Sequence, residues 1–210
     1  MDIASRSQAD RLPRRMISRL RKLPLVVPAL LAVLALSACG DSHTKVTTGT
    51  YAGESGANAP YLNVGPLVYE VQLSRELNPA NSEDVSYLQG LTPEQRKLEP
   101  GQEWFAVFMQ VYNNTNQPHE AATSMTVTDT QENSYTPEPP PESNLFAYRG
   151  GTVLPKNQIP LPGTPADVDP AEGLVMLYKI QIVSLDNRPL ELKIVDPENS
   201  AETASAELDV

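Results

Sequence analysis

Apolar and polar side chains alternate in several short segments of this chain. From Leu67 to Leu73 every second residue is apolar, while polar residues such as Glu70 and Gln72 stand between them. Alternation with a period of two is typical of a strand that buries one face. The same period recurs in the segments 125–129, 174–182 and 190–194. These patterns predict strands, with Leu73 on a buried face and Glu70 on an exposed one.

The segment from Trp104 to Tyr112 is apolar at nearly every position. Its alternate residues form two apolar faces, namely Trp104, Ala106 and Phe108 on one side and Phe105, Val107, Met109 and Val111 on the other. Because both faces are apolar, we predict a strand in the middle of its sheet. A turn is predicted at Asn113-Asn114, and a hairpin turn at 131–134 leads to Tyr135.

Helical periodicity is nearly absent. Residues 93–98 predict one short helix, with Pro93 in its first turn. Two connections, 137–141 and 155–170, are rich in proline, which lacks the backbone donor that a central strand needs. Many short strands separated by turn residues predict an all-β fold, an antiparallel β-sandwich.

The amino-terminal residues follow a different pattern. Seven basic residues precede Leu23, and an uncharged, apolar run extends from Leu25 to Leu36. This run is shorter than the roughly 20 residues that span a membrane, so it favours a cleaved export signal over an uncleaved anchor. Either Met1 or Met16 could start that signal.

The tetrapeptide Leu36-Ser37-Ala38-Cys39 resembles the lipobox of exported bacterial lipoproteins, and Cys39 is the only cysteine. The resemblance implies that residues 1–38 are a signal peptide. It also implies that Cys39 receives a diacylglyceryl group and becomes the first mature residue. Two acyl chains anchor a domain stably, whereas one binds a membrane reversibly. The alternative is a buried, inert cysteine in a coincidental context.

Composition predicts how the mature chain is divided. Residues 39–60 are small or polar, so they predict a flexible tether behind the lipid. The strand patterns fall within 61–196, which predicts one sandwich domain of ordinary size. Residues 197–210 are acidic or small without apolar periodicity, which predicts a disordered tail.

Removal of the signal changes the charge of the protein. Residues 1–38 hold seven of the 16 basic residues and two of the 26 acidic ones, which leaves nine basic residues, 24 acidic residues and a formal charge of −15. Such a charge repels nucleic acid and anionic lipid surfaces. We therefore expect no nucleic-acid partner. With a single cysteine, no intrachain disulfide can form.

Four parts of the chain resemble a known group of domains. They are Tyr69–Pro79, Trp104–Phe108 leading to Asn113-Asn114, Thr126–Thr130 and Asn187–Leu192. These parts look like immunoglobulin-like lipoprotein domains of unknown function that are common in actinobacteria, over about residues 61–196. The resemblance implies an immunoglobulin-like sandwich outside the cytoplasm. It implies no catalytic residues, because none are generally established for this group.

Candidate catalytic residues are few. Nucleophilic hydrolysis needs a base held beside an activated serine, threonine or cysteine. The two histidines are His43, in the predicted tether, and His119, which follows Pro118 in a polar turn. Neither accompanies a nucleophile-elbow motif. We expect a protein that is not an enzyme and has no cofactor.

A copper site is one alternative. Met109, His119 and Met125 could converge if their strands are adjacent, and soft metals accept such ligands. Both methionines also occupy apolar strand positions, which is where core methionines belong.

A calcium site is the other metal alternative. Asp167 and Asp169, with Glu172, supply oxygen ligands in a loop, but no EF-hand pattern surrounds them. A solvated acidic loop is the default interpretation of these residues. A copper- or calcium-binding accessory lipoprotein is thus the second functional hypothesis.

The same acidic loop and an aromatic one are candidates for partner binding. Phe146 and Tyr148 lie between the prolines and Gly150-Gly151, and Tyr87 is a further aromatic candidate. The alternative is a loop that folds back over an open end of the sandwich. The main hypothesis is a non-enzymatic module, anchored to the cell membrane and facing outside the cytoplasm, that binds an envelope protein or a cell-wall component.

Overall fold

A computed structural model describes residues 44–47, 61–171 and 173–208. The elements in these residues are β1 Thr44–Thr47, β2 Tyr61–Val64, β3 Leu67–Leu77, α1 Ser82–Tyr87, α2 Pro93–Arg96, β4 Gln102–Tyr112, β5 His119–Ala121, β6 Met125–Thr128, β7 Ser134–Tyr135, β8 Gly151–Val153, β9 Gln158–Ile159, α3 Pro165–Val168, β10 Leu174–Gln181, a 3-10 turn Ile182–Leu185, β11 Leu190–Val195 and β12 Thr203–Leu208. No helix among these residues combines the length and the apolar character needed to cross a membrane.

The strands form two large sheets and a small one. The first sheet has the order β1-β12-β11-β6-β7, and the second has the order β10-β4-β3-β2, with β9 pairing to one end of β4. A small third sheet pairs β5 with β8. Pairings between these strands are antiparallel except that of β1 with β12, and an isolated parallel bridge joins Ala147 to Val175 of β10. The prediction of an antiparallel β-sandwich is confirmed.

The main core lies between the two large sheets. Buried residues from both sheets meet in it, among them Tyr69, Phe105, Val107, Met109 and Tyr178 of the second sheet and Val127, Leu192, Ile194 and Ala204 of the first. Burial of these apolar surfaces is the dominant stabilising contribution in a chain that has no disulfide.

The central strand β4 is covered on both sides, as its sequence predicts. Its other face, with Trp104, Ala106 and Phe108, packs in a second cluster with residues that include Tyr87 and Leu88 from the α1 region. The Tyr87 and Phe108 rings meet edge to face, with centroids 4.9 Å apart. Helix α1 and the residues that flank α2, Leu91 and Leu98, therefore form a third layer outside the second sheet.

Strand β3 differs from its predicted facing. A bulge between Val71 and Leu73 interrupts its pairing with β4, and Leu73 packs against the second cluster. The extra residue in a bulge exchanges the faces of all residues that follow it. The predicted exposure of Glu70 and Gln72 is also wrong, because each side chain is 3% exposed. The buried carboxylate of Glu70 accepts a hydrogen bond of 2.7 Å from the Tyr112 hydroxyl.

The predicted helix is present as α2, which begins with a capping box. The Thr92 hydroxyl accepts a hydrogen bond from the backbone nitrogen of Gln95, and the side-chain oxygen of Gln95 accepts one from the backbone nitrogen of Thr92. These paired bonds satisfy two donors at the helix start. The sequence pattern does not predict α1 and α3, which have six and four residues and show no helical period; α2 is as short as α3 and was predicted from Pro93 in its first turn.

The prediction of a disordered tail at 197–210 is wrong for β12. Ala204, Ala206 and Leu208 face the main core, and the strand pairs with β11 over six residues. Alanine and serine give a weak hydrophobic pattern, so the alternation of small residues in β12 does not stand out as apolar periodicity. The predicted tether at 39–60 likewise contains β1. The signal peptide, Leu36–Cys39 and the rest of that tether lie outside the described residues.

Candidate functional site

An open groove lies on the outer side of the first sheet. It has a volume of about 410 Å³ and is lined by Thr126, Thr128, Asp129, Thr130, Ser134, Pro189, Glu191 and Lys193. The pleat explains the composition of the groove: Val127 and Leu192 point into the core, so their neighbours on β6 and β11 point outward.

The strand register places the groove residues in pairs. Thr128 lies opposite Glu191, and Thr126 lies opposite Lys193. At the end of this ladder, the Thr128 and Ser134 hydroxyl oxygens are 3.2 Å apart. The groove therefore offers hydroxyl groups beside the carboxylates of Asp129 and Glu191 and the ammonium group of Lys193, a set suited to hydrogen bonding with a polar ligand.

Asp129 closes one end of the groove and holds the β6–β7 turn. Its carboxylate accepts from the backbone nitrogens of Gln131 and Asn133, both at 2.9 Å. It also accepts from the Asn133 amide at 2.8 Å, the Ser184 hydroxyl at 2.6 Å and the Asn187 amide at 3.4 Å. The turn predicted from Gln131–Ser134 is confirmed, and this carboxylate is its organising group.

These contacts decide the charge of Asp129. Burial by itself would raise the pKa of this carboxyl, but the hydrogen bonds from Asn133, Ser184 and the turn nitrogens hold the pKa well below its ordinary value. Asp129 is thus a structural carboxylate that stays ionised. Its serine partner is fully buried, so Ser184 does not present a nucleophile to the groove.

The described histidine, His119, belongs to the small third sheet. Its Nδ1 atom lies 3.9 Å from a carboxylate oxygen of Glu198. The groove belongs to the first sheet, so its hydroxyl groups and His119 are on separate structural elements. His43 lies outside the described residues.

The two methionines of the copper alternative are core residues. Met109 and Met125 are both packed in the main core, with at most 1% of either residue exposed. In the described part of the chain, no three residues of the histidine, cysteine, aspartate and glutamate types approach closely enough to hold a metal ion. The core position expected of gap-filling methionines is the one observed.

The two predicted calcium ligands make different structural contacts. Asp167 accepts from the Gly163 nitrogen at 2.7 Å and so closes the turn before α3. Asp169 accepts from the Tyr87 hydroxyl at 2.6 Å and from the Ala171 nitrogen at 3.0 Å. Glu172 is outside the described residues. The described contacts therefore assign both aspartates to holding this loop.

The aromatic loop folds back onto the protein. Tyr148 is 5% exposed, and its hydroxyl donates to the Ala122 carbonyl at 2.7 Å. Phe146 is half-buried, with its ring 5.4 Å from that of Tyr87 and nearly perpendicular to it. Tyr148 and the fully buried Tyr87 are thus not available to a partner, and that part of the prediction is wrong. Leu145 is the exposed apolar residue of this loop, at 67%.

Sequence patterning could have found part of the groove. The alternation Thr126-Val127-Thr128 indicates two hydroxyl groups on the outer face of β6. Nothing local in the sequence indicates that Ser184 reaches Asp129 or that β11 lies beside β6. Those relationships arise from contacts between residues distant in the chain.

No family model and no curated protein matches this chain. Among solved structures it is similar to the yjhA protein of Bacillus subtilis, at 11% identity and a TM-score of 0.45, over 77% of this chain and 99% of that one. It is similar to an uncharacterised β-sandwich protein of Clostridium difficile, at 10% identity and a TM-score of 0.40, over 78% and 95%.

A third similar structure is the ycdA protein of Bacillus subtilis, which is named as a candidate lipoprotein. The identity is 8%, the TM-score is 0.44, and the match covers 73% of this chain. It spans 39% of that longer chain. Likeness at this distance carries no argument about activity.

Proposed function

We propose that this protein is an extracytoplasmic lipoprotein that binds an envelope protein or a cell-wall component without catalysing a reaction. The lipobox at Leu36–Cys39 supplies the membrane anchor. The observation that carries the binding function is the hydroxyl-lined groove on the outer side of the first sheet. Its lining is held by paired strands, which makes the groove a preformed surface.

The chemistry of the groove indicates what kind of partner it suits. Asp129 and Glu191 bring negative charge and Lys193 brings positive charge, and the threonine and serine hydroxyls both donate and accept. A polar partner with many hydrogen-bonding groups, such as a glycan or an extended peptide, fits this composition. The groove does not concentrate positive charge, and the mature chain is acidic, so a polyanion is disfavoured.

Photocrosslinking in intact cells tests the groove. A photoreactive amino acid at Thr128, in the groove, should give one dominant adduct, and the same residue at the exposed Glu94 on α2 should not. Mass spectrometry of the adduct distinguishes a protein from a cell-wall fragment. Adducts that are random, or that are the same from both positions, would overturn the assignment of the groove as the binding surface.

The anchor has its own test. Cys39→Ala should abolish incorporation of a clickable fatty acid and release the protein from the membrane fraction, because the thiol is the attachment point. A Cys39→Ala protein that stays membrane-bound with its mass unchanged would refute lipidation at this residue.

A further inference from the structure

Strand β1 begins only five positions after Cys39. A fully extended chain spans at most 3.3–3.6 Å per residue, so these five steps reach no more than roughly 18 Å. A tether from Cys39 to Pro60 would reach much further if it were free along its whole length. The pairing of β1 with β12 therefore shortens the connection between the lipid and the folded domain.

The pairing also selects which end of the sandwich is close to the lipid. Thr44 lies beside Thr203, the first residue of β12, and Thr203 lies opposite Val195, the last residue of β11. The loop 196–202 joins these two strands, so it lies at the end where β1 begins. The β2–β3 turn is at the same end, because a Cβ atom at Gly65 would clash with the Asp196 carboxylate.

We propose that this end of the sandwich, formed by loop 196–202 and the β2–β3 turn, faces the lipid bilayer, while the Asp129 turn faces away from it. The proposal rests on the lipid anchor of the proposed function. Thr128 pairs with Glu191 near the start of β11. The groove therefore lies toward the start of β11, away from the end that carries loop 196–202. Six residues of strand separate the two ends by roughly 20 Å.

The membrane-facing end carries acidic residues, so the linker and not attraction to anionic lipids would hold it near the bilayer. Loop 196–202 contains Glu198, which is exposed, and Glu202, which is partly exposed. The Nδ1 atom of His119 lies 3.9 Å from the Glu198 carboxylate. Anionic lipids repel such an end over about a Debye length, which is about 8 Å at physiological salt. The short linker therefore keeps this end near the surface, and the acidic loop keeps it from inserting.

Single labelled cysteines test this orientation in the complete lipidated protein. Cys39 is the only native cysteine and is blocked by lipid, so a thiol introduced by Ser200→Cys or Gln131→Cys is a unique site for a fluorophore. Both positions are exposed, one in loop 196–202 and the other in the Asp129 turn. The proteins are reconstituted in phosphatidylethanolamine and phosphatidylglycerol vesicles with and without a headgroup-nitroxide lipid that quenches fluorescence.

We expect several-fold stronger quenching at position 200 than at 131. A 15-residue glycine-serine insertion after Gly40 should reduce the quenching at 200 to the level at 131, since it lengthens the linker without altering β1. Val46→Pro should have the same effect, because proline removes a backbone donor from β1 and disfavours its pairing.

Each outcome has a separate meaning. Protein that fails to float with the vesicles would overturn the lipid anchor itself. Protein that floats but is quenched equally at both positions would overturn the orientation alone. If the insertion abolishes the difference and Val46→Pro does not, β1 is not what holds the end near the membrane, and the proposal fails on that ground.

Discussion

Ser184 donates its hydroxyl hydrogen to Asp129 over 2.6 Å, although 55 positions separate the two residues. Asp129 follows β6 of the first sheet, whereas Ser184 lies in the 3-10 turn that follows β10 of the second. Because that hydrogen is used on Asp129, the Tyr135 hydroxyl is the donor in its 2.7 Å contact with Ser184. This chain of three side chains joins the two sheets at the end that carries the groove.

Asp129→Asn should lower the free energy of unfolding by about 2–3 kcal/mol, because bonds to a buried charged acceptor are among the stronger ones. The asparagine amide group would also point N–H hydrogens at the groups that donate to the carboxylate in the wild-type protein, such as the Ser184 hydroxyl and the Asn133 amide. Urea unfolding followed by circular dichroism measures the loss. Asp186→Asn is the matched control, because Asp186 is exposed and lies in the neighbouring turn. Equal unfolding midpoints for the two variants would contradict this role for Asp129.

The same carboxylate predicts how stability depends on acid. The folded-state pKa of Asp129 lies below the value of about 3.9 of an unfolded chain. Such a group stabilises the fold above the unfolded pKa, and the stabilisation is lost as the pH falls toward the folded pKa. Between about pH 5 and pH 2, wild-type protein should therefore lose unfolding free energy more steeply than Asp129→Asn. If the unfolding free energies of the two proteins fall in parallel with pH, Asp129 is not the source of the acid sensitivity.

Much of the second sheet could be predicted from the sequence, because its central strand repeats one strong pattern on each face. Trp104 and Phe105 point to opposite clusters in the order that the alternation indicates. The bulge before Leu73 could not be predicted, since it depends on how β3 pairs with β4. Glu70 was misplaced because a polar side chain can be buried when a partner such as Tyr112 hydrogen-bonds to it.

The first sheet was harder to predict at β12, which lies between β1 and β11. Ala204 and Ala206 bury little area each, and Leu208 is the single large apolar side chain of β12, so the strand lacks the repeated apolar pattern that marks a strand. Its position is fixed by pairing with β11 rather than by its own propensity. For the site, the outward threonines follow from alternation, but the contact between Asp129 and Ser184 is created by tertiary packing.

Trp104→Ala should cost roughly 3–5 kcal/mol of unfolding free energy, since it removes a large core side chain and leaves a cavity. Trp104 is 2% exposed and packs in the second cluster. Circular dichroism is the appropriate signal, because Trp104 is the only tryptophan. Ile182→Ala, at a residue that is 51% exposed, should leave the thermal midpoint nearly unchanged. A similar small effect for Trp104→Ala would contradict its placement in the core.

Ala206→Glu tests whether the carboxyl-terminal segment is a core strand. Ala206 is 1% exposed and belongs to the main core, so a glutamate there would be a buried, unpaired charge. We expect severe destabilisation, seen as loss of the cooperative thermal transition or of soluble protein. Ala201→Glu makes the same substitution at an exposed position and should be tolerated. If the protein tolerates both variants equally, the carboxyl-terminal segment is not a core strand and the prediction of a disordered tail would stand.

Tyr87→Phe tests the contact that holds the acidic loop. The Tyr87 hydroxyl donates to Asp169, and burial together with this carboxylate raises the pKa of Tyr87 above its ordinary value. Loss of the bond should cost about 1–3 kcal/mol and speed amide hydrogen exchange around Asp169. Tyr61→Phe, at a residue that is 58% exposed, is the control.

The calcium alternative predicts a different outcome for the same loop. If Asp169 serves only to accept hydrogen bonds from the Tyr87 hydroxyl and the Ala171 nitrogen, added calcium should leave the melting temperature of wild-type protein and of Asp169→Asn equally unaffected. A calcium-dependent rise in the wild-type melting temperature that is absent in Asp169→Asn would instead show that the loop binds the ion, because a ligand stabilises only the state that binds it.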